Sequence, residues 1–171
     1  MNEQRLTQDL INRISNDFEI LQEVEGYHQL YNQNVRIDLV LRAKQHLIEQ
    51  GFTSEWFGIE CKWVQGVIKQ TSKTTRLVWQ SITYAQAVFN VHGNWEKLRF
   101  VAVYTPPQLE HSIEENLKRL LEVGHYGCVG RFHFYKSNSG WCIRFSNVYA
   151  STNGGFHISH NQLPKPRVGS V

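Results

Sequence analysis

Residues 35 to 42, Val-Arg-Ile-Asp-Leu-Val-Leu-Arg, alternate in a way that only a strand buried on one side satisfies. Val35, Ile37, Leu39 and Leu41 fall on one face; Arg36, Asp38, Val40 and Arg42 fall on the other. The segment from 56 to 64 repeats the pattern. Phe57, Ile59, Cys61 and Trp63 share an apolar face, and Gly58, Glu60, Lys62 and Val64 share the opposite one. Two such strands commit the chain to a sheet with one covered face. Glu60 and Lys62 interrupt a strand that otherwise reads as fully buried. Polar residues that break a local burial pattern point to chemistry.

The remaining elements fit around these strands. Leu6, Leu10, Ile11 and Ile14 recur at helical spacing and predict a helix over 3–16. Residues 18–25 read as a first strand, with a turn from Gly26 through Asn34. A short helix fits 43–50, stopped by Gly51. Val78, Ile82, Ala85 and Phe89 make the stripe of a long helix over 71–90, with Thr71 or Ser72 as its cap. Leu98–Tyr104 reads as a buried strand ended by Pro106-Pro107. A helix over 109–123 turns Ile113, Leu117, Leu120 and Leu121 inward and stops at Gly124. Residues 127–135 and 141–149 read as a hairpin.

This order describes an α/β chain with a mixed sheet flanked by helices. At 171 residues it is most simply one domain, spanning 1–163, with 164–171 as a flexible tail. Three widely spaced cysteines, Cys61, Cys128 and Cys142, include no Cys-x-x-Cys pair, which excludes a zinc ribbon or redox motif. The eight histidines include no His-x-x-x-His pair on a helix, and no Gly-rich phosphate loop occurs. No run of about 18 apolar residues suggests a membrane span. The N-terminus lacks the apolar core of a signal peptide, so a cytoplasmic location is expected. A net charge of +3 permits a polyanionic partner without requiring one.

Glu60 and Lys62, two apart, project from one side of a strand, and Asp38 projects from the polar side of the preceding strand. If the strands are neighbours, two carboxylates and an ammonium converge. Magnesium takes hard oxygen ligands and keeps several waters, so Asp38 and Glu60 suffice, with the backbone carbonyl of Cys61 as a third oxygen. Lys62 then orients the attacking water or stabilises developing negative charge. Gln80 and Tyr84, at i and i+4, share a helix face with Arg76 one turn earlier and Lys73 near the same line. Each of these features alone is commonplace on a protein surface. Their conjunction in order, on suitable elements, carries the reading.

In that order, Asp38, Glu60-Cys61-Lys62 and Gln80-x-x-x-Tyr84 resemble the PD-(D/E)XK nuclease superfamily, in the branches similar to RecB and Cas4 nuclease domains. The resemblance covers about residues 3–105. It implies a restriction-endonuclease-like αβββαβ core, with residues 108–150 (the last helix and hairpin) as an elaboration. It implies hydrolysis of DNA phosphodiester bonds with Mg²⁺ or Mn²⁺ held by Asp38 and Glu60. Lys62, Gln80 and Tyr84 join the catalytic set, and Lys73, Arg76 and Arg36 are expected to meet DNA. Members often carry a further Glu on the first helix or strand; Glu23 ranks ahead of Glu3 and Glu25.

The sequence departs from the pattern in two places. Ile37 stands where a Pro often precedes the Asp, and the long interval to Glu60 implies an insertion at 43–55. No four-cysteine set is present for an iron–sulfur cluster. The resemblance leaves room for a homodimer, and any helicase or other protein partner is a separate chain. The alternative is a non-catalytic nuclease-fold module that binds nucleic acid or a partner protein. Phe132, Phe134, Tyr135, Trp141 and Phe145, with Arg131, Lys136 and Arg144, read as a hairpin packing its aromatics inward, ahead of a stacking platform.

Overall fold

The computed structural model describes residues 2–64, 70–106, 109–124, 128–134, 140–145, 148–152 and 156–158. Within them the protein is an α/β structure built on a mixed ten-stranded sheet. The expected tail at 164–171 lies outside the described residues.

The chain opens with α1 (Glu3–Ile14), which buries Leu6, Leu10 and Ile14 at helical spacing. The side chain of Asn2 caps it by accepting from the Arg5 N–H at 3.0 Å. Strands β1 (Phe18–His28) and β2 (Gln33–Ala43) form a long antiparallel hairpin. The short helix α2 (Gln45–Glu49) fills the expected insertion and is closed by Gly51 at φ 95°. Strand β3 (Phe57–Cys61) returns antiparallel to β2 and is buried throughout. Helix α3 (Gln70–Gln86) leads to β4 (Val88–Val91) and β5 (Asn94–Lys97), and then to β6 (Val101–Tyr104), which lies parallel to β3. Helix α4 (His111–Gly124) leads to β7 (Val129–Phe134), parallel to β6. Strands β8 (Trp141–Phe145), β9 (Val148–Thr152) and β10 (Phe156–Ile158) continue as an antiparallel meander. The order across the sheet is β10-β9-β8-β7-β6-β3-β2-β1-β4-β5.

Helices cover both sides of the sheet's middle. Beside α1 lie the thiol of Cys61, bonded by Thr7, and the phenol of Tyr104, bonded by Arg13. On the other side Leu77 and Val78 of α3 and Leu117 and Leu121 of α4 pack with Val103 and Val129. Phe18, Phe52, Phe57, Phe100, Phe132, Trp141 and Phe145 interlock in the larger core, several edge to face. The hairpin aromatics Phe132, Trp141 and Phe145 are therefore core residues. Phe134 lies under the guanidinium of Arg13, 3.3 Å from its centroid, and Arg131 forks onto Glu114 of α4. Tyr135 and Lys136 lie outside the described residues.

Several sequence expectations shift. The long helix ends at Gln86, not 90, because Val88–Val91 pairs with β1 and with β5. The β4–β5 turn, His92-Gly93, has φ of 51° and 85°, positive at both central positions as a two-residue primed turn needs. The strand expected over 98–104 begins only at Val101, since Asn94–Lys97 already forms the other arm of that hairpin. Gly26 sits inside β1, where a Cβ would lie 2.6 Å from the Phe89 ring; the turn comes at 29–32. Thr71 and Ser72 lie within α3, which begins at Gln70, so neither caps it. Residues 151–152 and 156–158 also lie in strands.

Candidate active site

The strict alternation read for β2 slips at Asp38. Ile37 approaches Gly58 on the side occupied by Val40 and Val101, since a Cβ on Gly58 would meet Ile37 Cδ1 at 2.5 Å and Val101 Cγ2 at 3.4 Å. Ile37 therefore does not share a face with Leu39. Across the hairpin stands Glu23 with φ 50°, and no partner pair is formed between Gln22↔Leu39 and Val24↔Ile37. The β2–β3 ladder also stops at Leu39↔Ile59. Beyond it the strands part, and the Asp38 carboxylate enters the gap. Its Oδ2 accepts the Cys61 N–H at 2.7 Å. An amide left by the ladder is thus satisfied by the carboxylate, which is fixed in place by it.

Glu60 lies beside Asp38 and is 6 % exposed. Its Oε2 is buried and has no hydrogen-bond partner, and the same holds for Gln80 Oε1. Burial first, and then the charge of Asp38, push the Glu60 carboxyl up to about 9. Burial also raises Asp38, aided by Glu23 and Glu3 and opposed by the Cys61 amide and Lys62. Two carboxyls in one dry pocket resist double ionisation.

Lys62 stands just past the end of β3, where its N–H reaches the Tyr104 carbonyl at 2.8 Å. Its ammonium is held by Glu3, with Nζ 3.2 Å from Oε1 and 3.1 Å from Oε2. Glu3 also accepts the Trp63 N–H at 3.3 Å. From α3, Tyr84 is buried, and its phenol is pushed up by burial and by Glu60 and Asp38, while Gln80 hydrogen-bonds it. Arg76 is exposed on the same helix, and its charge reaches Tyr84; Lys73 is half-buried there.

Asp38, Glu60, Lys62, Gln80 and Tyr84 therefore meet in one place, together with the Cys61 backbone. Of the candidate extra acids, Glu23 and Glu3 both bring negative charge to Asp38. Glu23 pairs with Arg36 at 2.9 Å in a solvent-exposed ion pair, which also engages Arg36, while Glu3 grips Lys62. The sequence did carry a signal: Asn2 is a good N-cap, and it places Glu3 in the first turn of α1. Where that turn docks is a tertiary matter. Four of the histidines have other roles. His28 bonds Gln86, His46 bonds Asp17, His92 bonds Glu19, and the half-buried His133, pushed by desolvation and by Arg131 and Arg144, is lowered to about 4.

The donor set suits a hard divalent cation. Two carboxylates, one with a free buried oxygen, offer the oxygen ligands magnesium or manganese accepts, and water completes such a shell. Among the described residues no group of three or more His, Cys, Asp or Glu gathers as a metal site. A softer, protein-saturated centre such as structural zinc is not what these residues build. Searched against protein families, curated proteins and solved structures, the chain matches none.

Proposed function

We propose that this protein is a metal-dependent nuclease that hydrolyses DNA phosphodiester bonds, on a restriction-endonuclease-like core. The order α1, β1–β3, α3, β6 supports that core, with β1–β3 antiparallel and β6 parallel to β3. One observation carries the reading: a buried Glu60 oxygen without a partner, beside Asp38, within a cluster that includes an ammonium and a polar helix face. A buried carboxyl oxygen left without a partner is costly and persists where function needs it.

Asp38 and Glu60 would hold Mg²⁺ or Mn²⁺, with the Cys61 carbonyl beside them. Such an ion neutralises the phosphate, lowers the pKa of water and stabilises the leaving oxygen. The Cys61 amide keeps the Asp38 oxygen pointed into the gap. Glu60 holds a proton when no cation is present and releases it to become a ligand. Lys62, steadied by Glu3, orients the attacking water and offsets negative charge building on the phosphate. Gln80 and Tyr84 offer hydrogen bonds to a phosphate oxygen from the helix side. Arg76 and Lys73 add positive charge at the rim, where a DNA backbone would run.

The test is cleavage of a DNA panel with Mg²⁺, Mn²⁺ or EDTA. Wild type should cut only with metal. Lys62→Ala should lose roughly 10²–10⁴-fold in rate, and Glu60→Gln should be inactive. Cleavage by Glu60→Gln at the wild-type rate would overturn the assignment.

A further inference from the structure

From Cys61 through Trp95 the sequence contains no Asp or Glu, although the chain has 15 acids, and Lys62, Lys69, Lys73 and Arg76 all fall there. Helix α3 therefore carries no acidic residue, and its charged side chains are all cations. Along it Ser72, Arg76, Trp79 and Gln86 are exposed at helical spacing, forming a stripe next to the Gln80–Tyr84 line. Trp79 directly precedes Gln80 and is 57 % exposed, so its indole adds little to the core.

The stripe ends on the β1–β2 turn, which is anchored to it. The Tyr31 N–H can only donate, so it fixes His28 Nδ1, 3.2 Å away, as an acceptor. His28 Nε2 then carries the hydrogen and donates to Gln86 Oε1 at 3.1 Å. The Tyr31 ring stacks on the buried His28 ring, with centroids 4.5 Å apart and planes 16° from parallel. Its other side faces solvent, and Tyr31 is 62 % exposed. Trp79 and the Gln86 anchor are seven residues apart on α3, about 10 Å along its axis. That spans roughly three base steps of about 3.4 Å.

We propose that α3 and the β1–β2 turn hold unpaired nucleotides, with bases stacked on Trp79 and Tyr31 and a phosphate on Arg76. The strand delivered to Asp38 and Glu60 is then single-stranded. The catalytic half of this statement rests on the nuclease reading; the binding half does not. Inside a duplex each base face is already stacked and cannot reach an indole on a helix. Open aromatic faces interleaved with cations are the usual platform for unpaired strands.

Fluorescence anisotropy of a labelled oligonucleotide with the full chain in EDTA tests it, comparing the single strand with its duplex. The single strand should bind more tightly. Trp79→Ala should weaken single-strand binding roughly tenfold or more, with duplex binding and melting temperature unchanged, and Trp79→Phe should restore most of the loss. Equal binding of both forms, no binding of either (as a face for a protein partner would give), or an indifferent Trp79→Ala would overturn the proposal. Cleavage in Mg²⁺ is scored separately. Binding through Trp79 without metal-dependent cutting removes the nuclease reading and keeps this one; cutting with Trp79 irrelevant does the reverse.

Discussion

Glu60 is protonated by its surroundings when no cation is near, and that has a consequence for stability. Its carboxyl titrates near 9 in the folded chain, against 4.5 as the ordinary value. A group whose pKa is raised by folding stabilises fully below its unfolded pKa, and that contribution is lost as pH rises toward the folded value. The metal-free protein should therefore become less stable from about pH 4.5 to 9. Glu60→Gln keeps the shape and removes the titration. In EDTA at pH 8 it should be more stable than wild type by roughly 2–4 kcal/mol, with the gap closing near pH 5. Thermal melts across pH check this, and a constant gap would refute it. Glu3 acts at the same scale through Lys62. Glu3→Gln should lower cleavage by about tenfold or more, as the ammonium loses its fixed position, while metal affinity in a titration stays unchanged.

At the scale of elements, the break at Asp38 and the β4–β5 hairpin decide the site's form. The hairpin crosses beyond β1 and lays Phe89 over Gly26, and Phe89 in turn meets the Tyr84 ring edge to face at 6.1 Å. A Cβ at Gly26 would lie 2.6 Å from that ring and 2.7 Å from the Val88 carbonyl oxygen. Gly26→Ala should cost about 1–3 kcal/mol in chemical denaturation and lower activity by displacing Tyr84. The hairpin was hidden in the sequence because Ala85, Val88 and Phe89 continue the apolar stripe of Val78 and Ile82 at helical spacing. Such a run does not separate a helix end from a short buried strand. The elements around it were legible: α1, β1, β2, β3 and α4 all exist where periodicity puts them, although β1 runs on through Gly26 and β3 stops at Cys61, leaving Lys62 beyond the strand expected to carry it.

For the whole molecule, the proposed cation would link stability to pH and salt composition. Magnesium binding the folded chain alone, at a hundredfold excess over its Kd, should add about 2.7 kcal/mol. In a chain of this size that is roughly 5–10 °C in melting temperature. The proton on Glu60 must leave, so the stabilisation should weaken as pH falls below about 9. Differential scanning fluorimetry with and without Mg²⁺ checks it, and Asp38→Asn should abolish the shift.

The sequence by itself determined the α/β class, the strands bearing Asp38 and Glu60, and the helix bearing Gln80 and Tyr84, because periodicity and spacing are local properties of the chain. Only the tertiary structure decided that Asp38 fills a parted ladder, that Glu3 rather than Glu23 grips Lys62, and that one buried Glu60 oxygen lacks a partner. Each of those depends on which elements pack together and how much water they exclude, and neither quantity is written in any single stretch of residues.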